Sequence, residues 1–293
     1  MDTLPITIII RTLNEEQNIE ECIQYCKNNN PNEIIVVDGH STDQTRPIIQ
    51  RIQNIKVINC EKGLAIQRDT GIKAASSHSK YIMIVDADDR LDENCLFDLY
   101  NILEQSDATA VQAKHENISD IIKRKTTYWE EAFLVSMKII HALDNRNSVN
   151  ITMIGRPALY RKDSLLEVIT NTSNQYTTAA EDSDLAYNLK KRGALFVCGN
   201  GITYRKNLST FKELYKRWLA YGSGDAKFIE THPERMLNVL MHLLYVYPIK
   251  RAFYCATKYK ARYVPFFVLQ GTIRFFGLIK FLLFGIGGVD NYK

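Results

Sequence analysis

Asp86, Asp88 and Asp89 close the apolar run Tyr81-Ile82-Met83-Ile84-Val85, so three carboxylates gather where a buried strand is expected to end. Carboxylates separated by one residue can share a hard cation such as Mg²⁺ or Mn²⁺, which in turn prefers the oxygens of a diphosphate. Open α/β sheets hold their ligands at the carboxyl ends of strands, which gives this D-x-D cluster a place as well as a chemistry. An acidic triplet by itself also caps helices and lines turns, so the cluster gains meaning only from what accompanies it. Thr12 and Asn14 follow a first strand-like run, Asp38 ends a second, and Glu181, Asp182 and Asp184 open a helical stretch.

Those groups need elements to position them. Residues 6–10 and 33–37 predict strands flanking a helix within 14–28, a β-α-β unit, and a helix to about residue 53 then leads to a strand at 56–59. A helix at about 65–76 precedes the D-x-D strand, and a mainly parallel sheet with helices on both faces follows from this alternation. Further along, the pattern predicts a helix over 93–105, a strand over 109–113 and a long helix over 121–143. A turn at 145–150, a strand over 152–161, a short helix over 164–168, a helix over 181–191 ended by Gly193 and a strand over 194–198 come next. From about Phe211 the pattern is helical only.

Charge divides the chain in the same place. Residues 1–199 hold 22 Lys and Arg against 28 Asp and Glu, a net −6, whereas residues 200–293 hold 15 against 5, a net +10. That basic segment carries Trp218, nine Tyr and nine Phe, the composition of a helical region meeting an anionic membrane surface. Its apolar stretches 236–249, 263–273 and 281–289 are broken by Arg274 and Lys280, and none reaches the roughly 20 residues of a spanning helix. Helices lying in the interface or a re-entrant hairpin are expected instead, with packing on the sheet or on a second subunit as the other reading. Long aliphatic runs between the cations argue against nucleic acid as a partner. Six cysteines without C-x-x-C or zinc spacing read as reduced core residues in a cytosolic compartment, and the strand-like start predicts no targeting segment.

Four blocks in fixed order give the chain a resemblance. They are Arg11-Thr12-Leu13-Asn14-Glu15-Glu16, Val37-Asp38-Gly39-His40-Ser41-Thr42-Asp43-Gln44-Thr45, the stretch from Lys62-Gly63-Leu64 through Gln67-Arg68-Asp69 to Gly71-Ile72, and Asp86-Ala87-Asp88-Asp89. With Ala180-Glu181-Asp182-Ser183-Asp184-Leu185 beyond them, the sequence resembles a family 2 glycosyltransferase of GT-A fold from residue 5 to about 225. The resemblance implies an α/β, Rossmann-like sheet flanked by helices, followed by the basic, aromatic, membrane-associating helices. It implies donor-nucleotide contacts from Thr12, Asn14, Glu15, Asp38, Arg68, Asp86 and Ala87, and metal ligation by Asp88 and Asp86. Asp182 is implied as the catalytic base, with Glu181, Asp184, Arg217 and Trp218 at the acceptor or diphosphate. Helix stabilisation by Glu15, capping by Ser41 to Asp43 and a core role for Trp218 are open beside these assignments. Asp69 stands where the family often has Asn, and Arg11 where it commonly has Pro.

The expected protein is then an inverting transferase that moves a sugar from a nucleotide diphosphate, UDP favoured, to a saccharide or lipid-linked acceptor, with Mn²⁺ or Mg²⁺. Glu213 or Leu214 stands where the Q-x-x-R-W signature of processive synthases needs Gln, which favours single additions over polymerisation. Residues 1–225 would form the catalytic domain, with a nucleotide-sugar half to about 115 and an acceptor half from about 116. Residues 226–293 would associate with the cytoplasmic face of the cell membrane or with a second copy. A sugar-nucleotide nucleotidyltransferase is the alternative enzyme, disfavoured by the absence of a glycine-rich phosphate cradle in the first loop. A non-catalytic nucleotide-sugar-binding subunit is the alternative outside enzymes.

Overall fold

Isoleucines 6, 8 and 10 and isoleucine 9 project to opposite sides of strand β1 (Leu4–Thr12), and each set enters a different apolar core. This period of two with both faces buried is what a central strand under two helical layers requires. The computed structural model describes residues 3–118, 124–143, 154–155, 157–169, 179–205 and 207–285. Strands β2 (Pro31–Asp38), β3 (Lys56–Asn59), β4 (Tyr81–Asp86), β5 (Asp89–Leu91), β6 (Ala110–Asn117), β7 (Ala158–Arg161) and β8 (Phe196–Arg205) join β1 in one sheet ordered β3-β2-β1-β4-β7-β6-β8-β5. β1 to β4 pair in parallel, and β7 runs antiparallel to both β4 and β6. The sheet is therefore mixed, parallel throughout its β3-β2-β1-β4 half.

Helices α1 (Ile19–Asn28), α2 (Thr45–Arg51) and α4 (Cys95–Glu104) cover one face. Helices α3 (Leu64–Ala74), α6 (Lys162–Ile169) and α7 (Glu181–Lys191) cover the other. At Gly71 on α3 an added Cβ would sit 2.4 Å from Ile9, so only glycine lets that helix lie this close to the sheet. Register then does the positioning. Arg11 pairs with Asp86 and Thr12 with Asp38, so the three parallel strands end side by side.

Helix α5 (Tyr128–Leu143) begins later than the sequence pattern expects, since 124–127 are not helical; residues 121–123, the expected turn at 145–150 and the first residues of the expected strand at 152 lie outside those described. Helix α8 (Phe211–Thr231) continues through residues 225 and 226, where the domain boundary was expected. A helical arm follows, made of α9 (Met236–Met241), a π-helical stretch (His242–Arg251) and α10 (Ala252–Lys258), and then α11 (Val264–Phe284). The sequence reading of short, interrupted apolar pieces needs correction here. Residues 264–284 form one unbroken helix, and Ala261–Phe284 is long and apolar enough to cross a membrane by length and composition. Arg274 and Lys280 do not interrupt it, since long basic side chains are good helix formers. Trp218, Phe266, Phe267 and Leu214 form the core between α8 and α11. The end of the apolar stretch 281–289 lies beyond the described residues.

Candidate active site

The ends of β1 and β4, the start of α7 and the inner faces of α8 and α11 surround a cleft of about 550 Å³. On the sheet side Arg11 donates to Asp86, and Arg205, at the end of β8, donates to Asp86 at 2.5 Å and to Asp89 at 2.7 Å. Asp86, Asp88 and Asp89 each offer a carboxylate oxygen within 4.8 Å of the others. Their roles differ. Asp89 is buried, accepts from the Asp86 backbone N–H at 3.1 Å, and burial pushes its carboxyl up to about 7 against the pull of Arg205. Asp86 is partly open; burial disfavours its charge, but Arg11 and Arg205 hold it below the usual carboxylate range. Asp88 faces the cleft with the Arg205 guanidinium 3.7 Å away. Asp86 and Asp88 are thus the carboxylates of the cluster that line the cleft, and their hard oxygens fit a divalent cation.

Helix α7 supplies the second group of carboxylates. Ala180 before it takes a left-handed conformation, φ 67°, which an alanine adopts at a cost of about 1 kcal/mol or more. That turn aims the first residues of α7 into the cleft. Glu181 is buried and accepts from Arg11 at 3.1 Å, while its carbonyl accepts from Arg68 at 2.8 Å. Asp182 lines the cleft, and burial together with the neighbouring Glu181 raises its carboxyl to about 7. Such a group is a base matched to neutral pH.

Of the residues singled out from the sequence, Thr12, Glu15, Asp86, Ala87, Asp88, Glu181, Asp182 and Arg217 meet at this cleft. The hydroxyl of Thr12 is buried beside the cleft with no hydrogen-bond partner among the described residues. Arg217 faces the cleft with no ion-pair partner among the described residues. Five others are placed differently. Asn14, at φ 54°, accepts from the Thr42 N–H at 2.8 Å and ties two loops together. Asp38 is fully buried and accepts from the Ser41 N–H at 3.1 Å, with Arg46 at 3.7 Å. Arg68 is buried against Asp69 at 2.7 Å, and so holds the α7 terminus instead of facing the cleft. Asp184 turns away to His232 at 2.7 Å. Trp218 is 2% exposed and stacks edge-on against Phe266 at 5.1 Å, a core anchor whose indole does not line the cleft.

Sequence reasoning missed Arg205, Gln67 and the pair Asp225–Arg274. Gln67 donates to the carbonyls of Thr12 at 2.8 Å and Val37 at 3.0 Å, fastening the ends of β1 and β2. Arg274 from α11 makes a two-pronged pair with Asp225 at 2.7 and 3.0 Å, bonds Tyr247 at 2.9 Å and lies 5.3 Å from the Tyr221 ring, with Tyr221, Asp225 and Arg274 at the cleft wall. An arginine inside a long apolar run signals such a buried partner.

Curated relatives match at 24 to 30% identity over 38 to 63% of this chain, and the chain spans only 29 to 40% of their length. One is the poly(ribitol-phosphate) beta-N-acetylglucosaminyltransferase TarP of Staphylococcus aureus, 28% identical over 38% of this chain and 36% of its own. Among solved structures, residues 1–349 of S. aureus TarS with UDP-GlcNAc superpose with a TM-score of 0.52 at 14% identity, covering 95% of this chain and 91% of that one. Glucosyl-3-phosphoglycerate synthase from Mycobacterium tuberculosis, solved with Mn²⁺, UDP and phosphoglyceric acid, superposes with a TM-score of 0.50 at 18% identity, covering 71% and 72%. These likenesses show the fold. The profile described as Glycosyl transferase family 2 matches residues 7–169, more than half of the sequence, and the chain belongs to that family.

Proposed function

We propose that this protein transfers a sugar from a nucleotide diphosphate, a UDP-sugar, to a hydroxyl of a saccharide or polyol-phosphate acceptor, with inversion at the anomeric carbon. The carrying observation is that Asp182 and the Asp86/Asp88 pair face one cleft, with Arg11 hydrogen-bonded toward both sides of it. TarP, by its name, acts on a poly(ribitol-phosphate), and the glucosyl-3-phosphoglycerate synthase binds UDP and Mn²⁺; both support the donor and acceptor classes chosen.

Asp182 takes the proton of the acceptor hydroxyl as that oxygen bonds to the anomeric carbon and the bond to the diphosphate breaks. The proton ends on Asp182 and the electron pair on the departing diphosphate. Arg11, Arg205 and Arg217 set positive charge around the leaving group before the reaction begins. A divalent cation held by Asp86 and Asp88 would neutralise diphosphate charge as a Lewis acid. Glu181 raises the proton affinity of Asp182, and Arg68 and Arg11 hold Glu181, and with it the start of α7, in place.

Release of UDP from a panel of UDP-sugars, with Mn²⁺ or EDTA and with or without poly(ribitol-phosphate), tests this reading. Release from one donor, stimulated by acceptor and abolished by EDTA, is expected. No release together with no nucleotide binding would replace it with a non-catalytic role.

A further inference from the structure

We infer that the C-terminal helical hairpin docks flat on an anionic lipid surface and does not cross it. The first arm carries Leu237, Met241, Tyr245, Ile249 and Phe253 about four residues apart, and all are exposed, Leu237 and Phe253 at 70% and 71%. In an α-helix a strict four-residue spacing drifts around the axis; the wider π-helical turn over His242–Arg251 keeps these side chains in one stripe. On α11, Val268, Phe276 and Leu283 are exposed eight and seven residues apart, about two helical turns each. So large an apolar exposure marks an interaction face.

Charge selects the occupant. Between Glu234 and Asp290 the sequence has eight Lys and Arg and no Asp or Glu. Lys250, Lys258, Lys260, Arg262 and Lys280 are exposed beside the apolar stripes. A second copy would bring the same cations against them, whereas an anionic bilayer attracts them and accepts the apolar side chains.

Packing selects the mode. The helix long enough to span is only one-third buried, but its buried side is fixed. A Cβ at Gly222 would lie 2.0 Å from the Arg274 carbonyl oxygen, and one at Gly277 would lie 2.3 Å from that of Leu219, so α8 and α11 touch backbone to backbone. Arg274 is held by Asp225 within the cleft wall. Spanning would strip this pair from its partner and place an unpaired arginine in hydrocarbon. Docked flat, α11 presents lipid with one side and the cleft with the other, which holds the cleft about one helix diameter, roughly 10 Å, from the surface. An acceptor carried on lipid would reach the site without leaving the membrane.

Sedimentation of the full chain with vesicles of phosphatidylcholine alone, or mixed with phosphatidylglycerol, tests the inference. Binding to the mixed vesicles and release by high salt are expected. Lys250→Gln/Lys258→Gln/Lys260→Gln should weaken partitioning about 100-fold with unchanged melting temperature and unchanged donor hydrolysis in solution. Leu237→Ser/Phe253→Ser should weaken it as well. Equal binding of the triple variant and the parent overturns the inference, as does a stable dimer in ultracentrifugation with no vesicle binding. Vesicle binding that resists both salt and alkaline carbonate overturns the flat mode in favour of a span.

Discussion

Arg11 donates to Glu181 at 3.1 Å across a separation of 170 residues, and the same guanidinium donates to Asp86. The sheet end that holds the carboxylate cluster is thereby fastened to the helix that carries Asp182. Arg11 and Glu181 are both buried, so removing the guanidinium takes a charged partner from a buried carboxylate. Arg11→Ala should cost about 3 to 5 kcal/mol of stability, read by urea unfolding, and should abolish turnover. Full stability in that variant would mean that the two halves are joined otherwise.

The raised carboxyl of Asp182 gives activity and stability opposite pH dependences. As a base it must be ionised, so kcat/KM should fall about tenfold per pH unit below about 7. For stability, the folded pKa lies above the unfolded value of about 4, so the unfolded chain ionises first and stability is lost as pH rises from about 4 to about 7. Asp182→Asn should therefore melt higher than the parent at pH 8 and alongside it near pH 4. Coincident melting at both pH values would contradict an elevated pKa.

Asp88 faces the cleft, while Asp89 is engaged by Arg205. Asp88→Asn should weaken Mn²⁺ binding by more than tenfold, about 1.4 kcal/mol, in titration calorimetry, and Asp89→Asn should act chiefly on stability. Equal Mn²⁺ affinity in Asp88→Asn and the parent would remove Asp88 from the ligand set.

Gly222 meets backbone, which cannot move aside as a side chain can. Gly222→Ala should destabilise by about 1 to 3 kcal/mol and disturb the Arg274–Asp225 pair at the cleft. Unaltered stability by urea unfolding would show that α8 and α11 are packed less closely.

Much of this arrangement is legible in the sequence where local pattern and tertiary role agree. β3 at Lys56–Asn59 and α7 at Glu181–Lys191 lie where periodicity puts them, and the carboxylate cluster ends its strand as expected. Arg205 lies seven residues past the strand end expected at residue 198, beyond Gly199-Asn200-Gly201. The strand runs on through these residues because it passes tightly over α4: a Cβ at Gly201 would lie 2.5 Å from the Cys95 carbonyl oxygen. β5 has only three residues and depends on pairing with β8, so nothing local announces it. Asp38, Asp184 and Trp218 have side chains suited to a site, but their partners, distant in sequence for Asp184 and Trp218, turn them into supports. Arg274 shows the reverse, a charge that looked like a break in an apolar run and proves to belong to the cleft.

The most direct test of the account is Asp182→Asn, measured for UDP binding and for sugar transfer side by side. Nearly unchanged binding with transfer lowered by a factor of about 10² to 10⁴ is expected. Unchanged transfer would contradict it and remove Asp182 from the mechanism.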